Sequence, residues 1–154
     1  YFDNDSFIFD LENMARISHE EFITGNYAVD EDSSYARRQG LKSWYAYAYT
    51  DGDRVVAIAL KKNMDSLLRQ RVTLGTIQTL EDDALVGKTV ILRDARDWSS
   101  RNEKWMEKGL PVRMRVEKSL LIKDDRMISW DELKPGDDLY CIRDDFECIF
   151  LLVK

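Results

Sequence analysis

Six residues in one short stretch have the types and spacing to hold a ligand. Arg93, Arg96, Trp98, Arg101, Lys104 and Trp105 lie in and just before DARDWSSRNEKW, where cations and indoles interleave. An indole face stacks on a base or a sugar ring, and a neighbouring guanidinium adds charge and a cation–π contact. That is the chemistry of a binder of oligonucleotide or oligosaccharide. The competing reading folds Trp98 and Trp105 back onto the core and leaves the charges in water. The acidity of the whole chain favours this second reading.

Other chemistry finds less support. His19 is the single histidine, and it sits in a short capped turn. A triad needs a nucleophile and a carboxylate that meet the imidazole, and no nucleophile elbow is present. Cys141, Cys148 and His19 are the only soft or borderline ligands, without the Cys-x-x-Cys spacing of a zinc site. The acidic pairs Asp82-Asp83, Asp124-Asp125, Asp137-Asp138 and Asp144-Asp145 suit turn tips better than a calcium loop, since none has EF-hand spacing. Seven glycines are scattered singly, so no phosphate loop forms. The expectation is a non-enzymatic protein with no cofactor and no metal.

The totals agree with that expectation. At 154 residues, the chain suits one larger domain or two small ones, each with a core. Charged residues make up 34%, and no apolar run nears the roughly 20 residues of a membrane span. A net charge of −6 opposes general attraction to nucleic acid or anionic lipid. The charge is uneven: Tyr1 to Tyr35 holds nine acidic residues and one basic, while Arg93 to Lys118 holds eight basic and five acidic. The opening Tyr1-Phe2-Asp3 has neither an initiator Met nor a basic-then-apolar leader, as expected of a mature or trimmed form.

The elements that would position these residues are strands and short turns. Ser6 to Leu11 alternates as a strand. Ser18 and Glu21 have capping-box spacing, with Gly25 to close the turn. Asp30 to Gly40 is polar and reads as an exposed loop. Trp44 to Lys62 is a hairpin about Asp51-Gly52, which sets Tyr49 opposite Arg54, Tyr47 opposite Val56 and Tyr45 opposite Ile58. Asn63 caps a helix over Met64 to Arg71, Val72 to Ile77 is a strand, and Thr79 to Asp82 opens another short helix that Gly87 stops. Lys88 to Arg93, Val112 to Val116 and Leu120 to Ile122 are strands, with Asp94 to Gly109 a long loop. Ser129 and Glu132 repeat the capping-box spacing before Pro135-Gly136, and a hairpin about Asp144-Asp145 ends the chain. That turn sets Cys141 opposite Cys148, among apolar neighbours, as reduced thiols of raised pKa.

ISHEEFITGN from Ile17 and ISWDELKPGD from Ile128 resemble one another, which makes an internal repeat a candidate. From Val72 the order of strand, helical turn, strand, long loop, strand, capped turn and hairpin suggests a small, bent antiparallel barrel. The extended LLIK, the capping-box turn ending in Gly-Asp and the closing hairpin resemble the OB-like small β-barrel modules of exported bacterial proteins. The resemblance covers Val72 to Lys154 and is structural. It implies a mostly β fold with an OB-like barrel over 72–154, while the candidate repeat would make the hairpin-rich N-terminal module over 1–71 a partial copy. It further implies an interaction or assembly role in an extracytoplasmic or cell-surface protein, with other domains of that assembly as partners.

Overall fold

The computed structural model describes residues 1–24, 27, 44–62 and 69–154. The chain is mostly β and divides into two compact units, 1–65 and 66–154. The division falls before the expected one after residue 71, because Gln70 and Arg71 already belong to a strand. The expected loop over 30–40, the closing Gly25 and most of the helix over 64–71 lie outside the described residues.

The first unit contains β1 (Phe2–Asp10), β2 (Ala15–Ile17), α1 (His19–Thr24), β3 (Trp44–Asp51) and β4 (Arg54–Lys62). Its sheet runs β2-β1-β4-β3. β1 is parallel to β4, while the other two pairings are antiparallel. At the β1–β2 turn, Asp10 accepts from the backbone of Glu12 and Asn13 and from Asn13 Nδ2, and Tyr27 Oη donates to it at 2.9 Å. Burial by itself would raise the Asp10 pKa, but these hydrogen bonds leave it lowered. Ser18 and Glu21 form the expected box: the Glu21 amide donates to Ser18 Oγ at 3.1 Å, and the Ser18 amide to Glu21 Oε2 at 2.8 Å. Ile8, Trp44 and Leu60 form one core, with Phe2, Ile17, Phe22, Tyr27 and Ile58 against it.

The second unit contains β5 (Gln70–Asp83), β6 (Gly87–Ser99), β7 (Lys104–Glu107), β8 (Val112–Arg115), β9 (Leu120–Lys123) and β10 (Arg126–Met127). A 3-10 turn (Trp130–Glu132), β11 (Asp138–Asp144) and β12 (Glu147–Val153) follow. The sheet order is β10-β9-β12-β11-β5-β6-β7, with β8 pairing both β6 and β12. β12 is parallel to β9 and to β8, so the expectation of a wholly antiparallel arrangement is wrong here as in the first unit. Val90, Leu92 and Met114 pack with Ile77, Leu139, Cys141, Leu151 and Val153 into one core.

Several local expectations give way to pairing. Thr79 to Asp82 is strand, since Thr79, Leu80, Glu81 and Asp82 pair with Ile91, Val90, Thr89 and Lys88. The hairpin is closed by Asp83, whose Oδ1 accepts from the amides of Leu85 and Val86. Gly87 therefore begins a strand, with φ +85°. The loop over 94–109 is replaced by the β6–β7 hairpin. The first hairpin turns at Gly52-Asp53, with Asp51 opposite Arg54, and carries a bulge after Tyr49, so Tyr49, Tyr47 and Tyr45 face Ala57, Ala59 and Lys61 in place of Arg54, Val56 and Ile58. The last hairpin turns at Asp145-Phe146, with Asp145 at φ +55°, and also carries a bulge. Cys141 therefore faces Leu151, and Cys148 faces Arg143.

Candidate functional site

Strand alternation decides where the predicted site residues point. On β6, Ala95 and Asp97 are buried, which leaves Arg96 and Trp98 on the outer face. Pairing with β7 sets Trp98 opposite Trp105 and Arg96 opposite Glu107. The two indoles meet edge to face, centroids 5.4 Å apart, and Trp98 keeps 39% of its surface exposed. They form a cross-strand aromatic pair on the hairpin surface. Leu74 on β5 lies beside Arg96 and Tyr140 on β11 beside Leu74, so Tyr140, Leu74, Arg96 and Glu107 form one outer row.

The other four predicted residues are all exposed cations, but they do not converge. Arg93 pairs with Asp94 at 3.1 Å. Arg93 and Arg96 line a cleft of about 700 Å³ with Gly75, Ala95, Leu110 and Lys154 among its other walls. The cleft lies where β5 and β6 slip register between Leu74 and Thr76, and Asp94 there is left-handed at φ +53°. Gly75 belongs to this narrow place, because a Cβ on it would stand 3.0 Å from Leu92 Cβ. Arg101 and Lys104 sit at the tip of the hairpin, where Lys104 is opposite Ser99. The structure therefore divides the six residues among an indole pair, a cleft wall and a hairpin tip.

The inner face carries a polar cluster that the sequence reading missed. Leu151, Cys141, Thr73, Asp97 and Met106 stand side by side across β12, β11, β5, β6 and β7. Thr73 Oγ1 donates to Asp97 Oδ1 at 2.6 Å, and Arg143 Nε donates to Thr73 Oγ1 at 2.9 Å. Arg143 Nη1 donates to the Asp145 carbonyl, and Lys108 Nζ stands 3.3 Å from Asp97 Oδ2. Burial pushes the Asp97 carboxyl up, and Thr73, Arg143 and Lys108 together outweigh it and hold its pKa lowered. The available signal was LYCIRD: Leu139, Cys141 and Arg143 share one face of β11, and a cation in that inward row needs a buried anion.

This cluster holds charge in place. Cys141 Sγ donates to the Thr73 carbonyl at 3.5 Å, and the neighbouring Cys148 thiol together with burial pushes its pKa well up, away from a nucleophilic thiolate. Both cysteines are buried, and neither forms a disulfide. His19 lies exposed on α1, its ring 4.5 Å from that of Phe2. Among the described residues, no three His, Cys, Asp or Glu side chains gather as metal ligands, and no helix is long and apolar enough to cross a membrane. No protein-family model, curated protein or solved structure matches the chain.

Proposed function

We propose that this chain is a non-enzymatic interaction or assembly module of a larger exported or surface-associated bacterial protein. On this reading its second unit is an OB-like small barrel and its first a partial copy. The observation that carries the reading is a recurrence of topology. The order β2-β1-β4-β3 in the first unit matches β10-β9-β12-β11 in the second, with the same parallel central pair and the same closing hairpin. Tandem copies of one small module suit a spacer or scaffold. Support for the barrel comes from a circuit of pairings: β5 to β6, β6 to β8, β8 to β12, β12 to β11, and β11 back to β5. The β8–β12 step rests on one bridge, Arg115 to Glu147. Export rests on the family resemblance.

Sedimentation of the chain with the separately expressed flanking domains of its parent protein tests the role. A stoichiometric complex is the expected result; independent sedimentation of every component at tens of micromolar overturns the reading. A second reading, ligand stacking on the hairpin, is favoured by the exposure of Trp98 beside Arg96. Titration with single-stranded oligonucleotides and with oligosaccharides, followed by Trp fluorescence, tests it. A saturable change that Trp98→Ala abolishes supports a binder, and silence at millimolar ligand removes it.

A further inference from the structure

The cleft and the indole pair lie along one outer face of the second unit, and a bulge brings them there. In a regular strand Arg93 and Arg96, three positions apart, would point to opposite sides of the sheet. Between Leu74 and Thr76, however, β5 advances two residues while β6 runs three, from Arg96 to Arg93. Leu74 is opposite Arg96 and Thr76 opposite Arg93, so both arginines share the face that carries Trp98. On β7, Glu107 stands opposite Arg96 and Trp105 opposite Trp98. Each indole is two positions from its charged neighbour, about 6–7 Å along the strand. That is close to the repeat of an extended oligosaccharide or oligonucleotide, so spacing admits both.

Charge decides between them. The cleft is lined by three cationic side chains, Arg93, Arg96 and Lys154, and by three carboxylates, Asp94, Glu107 and Asp138. A phosphate strand draws its affinity from cations that displace its counterions. A balanced cleft on a chain of net charge −6 offers no such excess. A sugar hydroxyl, in contrast, both donates and accepts, so guanidinium and carboxylate groups side by side serve both of its functions. Two of the carboxylates are already oriented. Asp94 pairs with Arg93 at 3.1 Å, and Asp138 Oδ1 accepts from Thr76 Oγ1 at 2.6 Å. The volume of about 700 Å³ falls within the range of small-molecule sites.

We propose that the indole pair and the cleft are adjoining subsites for one neutral oligosaccharide. A sugar ring stacks on Trp98, and the hydroxyl groups of the next meet Arg96 and Glu107. The proposal rests on the second reading, ligand stacking on the hairpin, and names the class of ligand. Trp98, at 39% exposure, supplies an apolar ring face, and Trp105 braces it edge to face. Arg93 and Asp94 continue the polar wall beyond Arg96. Arg101 and Lys104, at the hairpin tip, take no part.

Cellohexaose, maltohexaose, mannohexaose and N-acetylated chitohexaose, titrated separately into the full chain beside a thymidine hexanucleotide, test this by Trp fluorescence. The expected result is a saturable change with at least one saccharide, abolished by Trp98→Ala. Raising salt from about 50 to about 500 mM leaves that affinity within about twofold, since no counterions are released. Arg96→Ala and Glu107→Ala each weaken it by about tenfold, as loss of a hydrogen bond to a charged group does, with the thermal midpoint unchanged. Glu107→Lys separates the ligand classes by sign: it weakens a saccharide and tightens a hexanucleotide. Silence from every saccharide, with a salt-sensitive hexanucleotide response that Trp98→Ala abolishes, overturns the proposal and leaves stacking on the hairpin standing. Silence from all probes at millimolar concentration removes both. Saccharide binding that Arg96→Ala and Glu107→Ala leave unchanged also overturns the proposal, because the cleft then takes no part. So does saccharide binding that survives Trp98→Ala.

Discussion

Arg143 on β11 reaches past β5 to Asp97 on β6, its Nη2 standing 3.1 and 2.9 Å from the two carboxylate oxygens. Neither residue faces the other in register, since Arg143 is opposite Arg71 and Asp97 opposite Thr73. The pair is thus a diagonal tie across three strands that also hold the hydrophobic core.

Breaking one side of such a pair leaves a buried charge without a partner. Arg143→Met is expected to cost about 3–5 kcal/mol. The double variant Asp97→Asn/Arg143→Met recovers much of that loss, because no ion is left stranded. Urea denaturation of the three proteins, with m-values compared, checks both statements.

Asp97 also predicts a pH dependence. Its folded pKa lies below the unfolded one, so its contribution is fully present above the unfolded carboxylate value of about 3.9. The contribution is lost as pH falls through the folded pKa. The thermal midpoint should therefore hold its Asp97 share at pH 5–7 and lose it progressively below about pH 4. Thr73→Val removes the hydroxyl that donates to the carboxylate, so the folded pKa should rise, and the drop should be smaller and complete at higher pH.

Asp3 offers a half-buried counterpart. Arg54 Nε donates to its Oδ2 at 2.7 Å, and this bond, partly opposed by desolvation and aided by Ser6, lowers its pKa to about 2. An NMR titration of the Asp3 carboxyl should show that low value. Arg54→Met should return it most of the way towards the usual aspartate range.

Gly75 tests the close approach of β5 and β6. A Cβ there meets Leu92 Cβ at 3.0 Å and Leu92 Cδ1 at 3.1 Å, and Leu92 is fully buried. Gly75→Ala is expected to destabilise by about 1–3 kcal/mol, as overpacking does. Gly75→Ala combined with Leu92→Ala removes the Cδ1 contact and leaves the Cβ contact, which a double-mutant cycle would register as partial favourable coupling.

The two thiols should resist modification in the native state. Labelling with a thiol reagent is expected only in denaturant, with two groups reacting per chain, and intact mass should not change on reduction. A two-hydrogen gain on reduction would show a disulfide in place of the buried thiols.

Chemistry confined to a few adjacent residues was legible in the sequence. Ser18–Glu21 and Ser129–Glu132 were read as box starts, and the Ser129 amide does donate to Glu132 Oε2 at 3.0 Å. The alternation of Trp44 to Lys62 and of Leu139 to Val153 was enough to read two hairpins. Each of these signals acts within one turn or one strand, so no distant contact is needed to make it. The tertiary structure decided what depends on remote partners. Thr79 to Asp82 has the pattern of a helix start, yet Lys88 to Ile91 supplies a full ladder for it and the strand wins. The stretch after Asp94 looked like a loop because its charges mask the alternation of Ala95, Asp97 and Trp98. β7 supplies the ladder that makes it a strand. Each hairpin turns one residue later than expected, which moves its pairing by two, and a bulge adds one more at a place set by packing: Val56 and Ile149 are buried at the slip. The divided site has the same cause, for strand alternation sends Trp98 outward and Asp97 inward, where Arg143, 46 residues away, neutralises it.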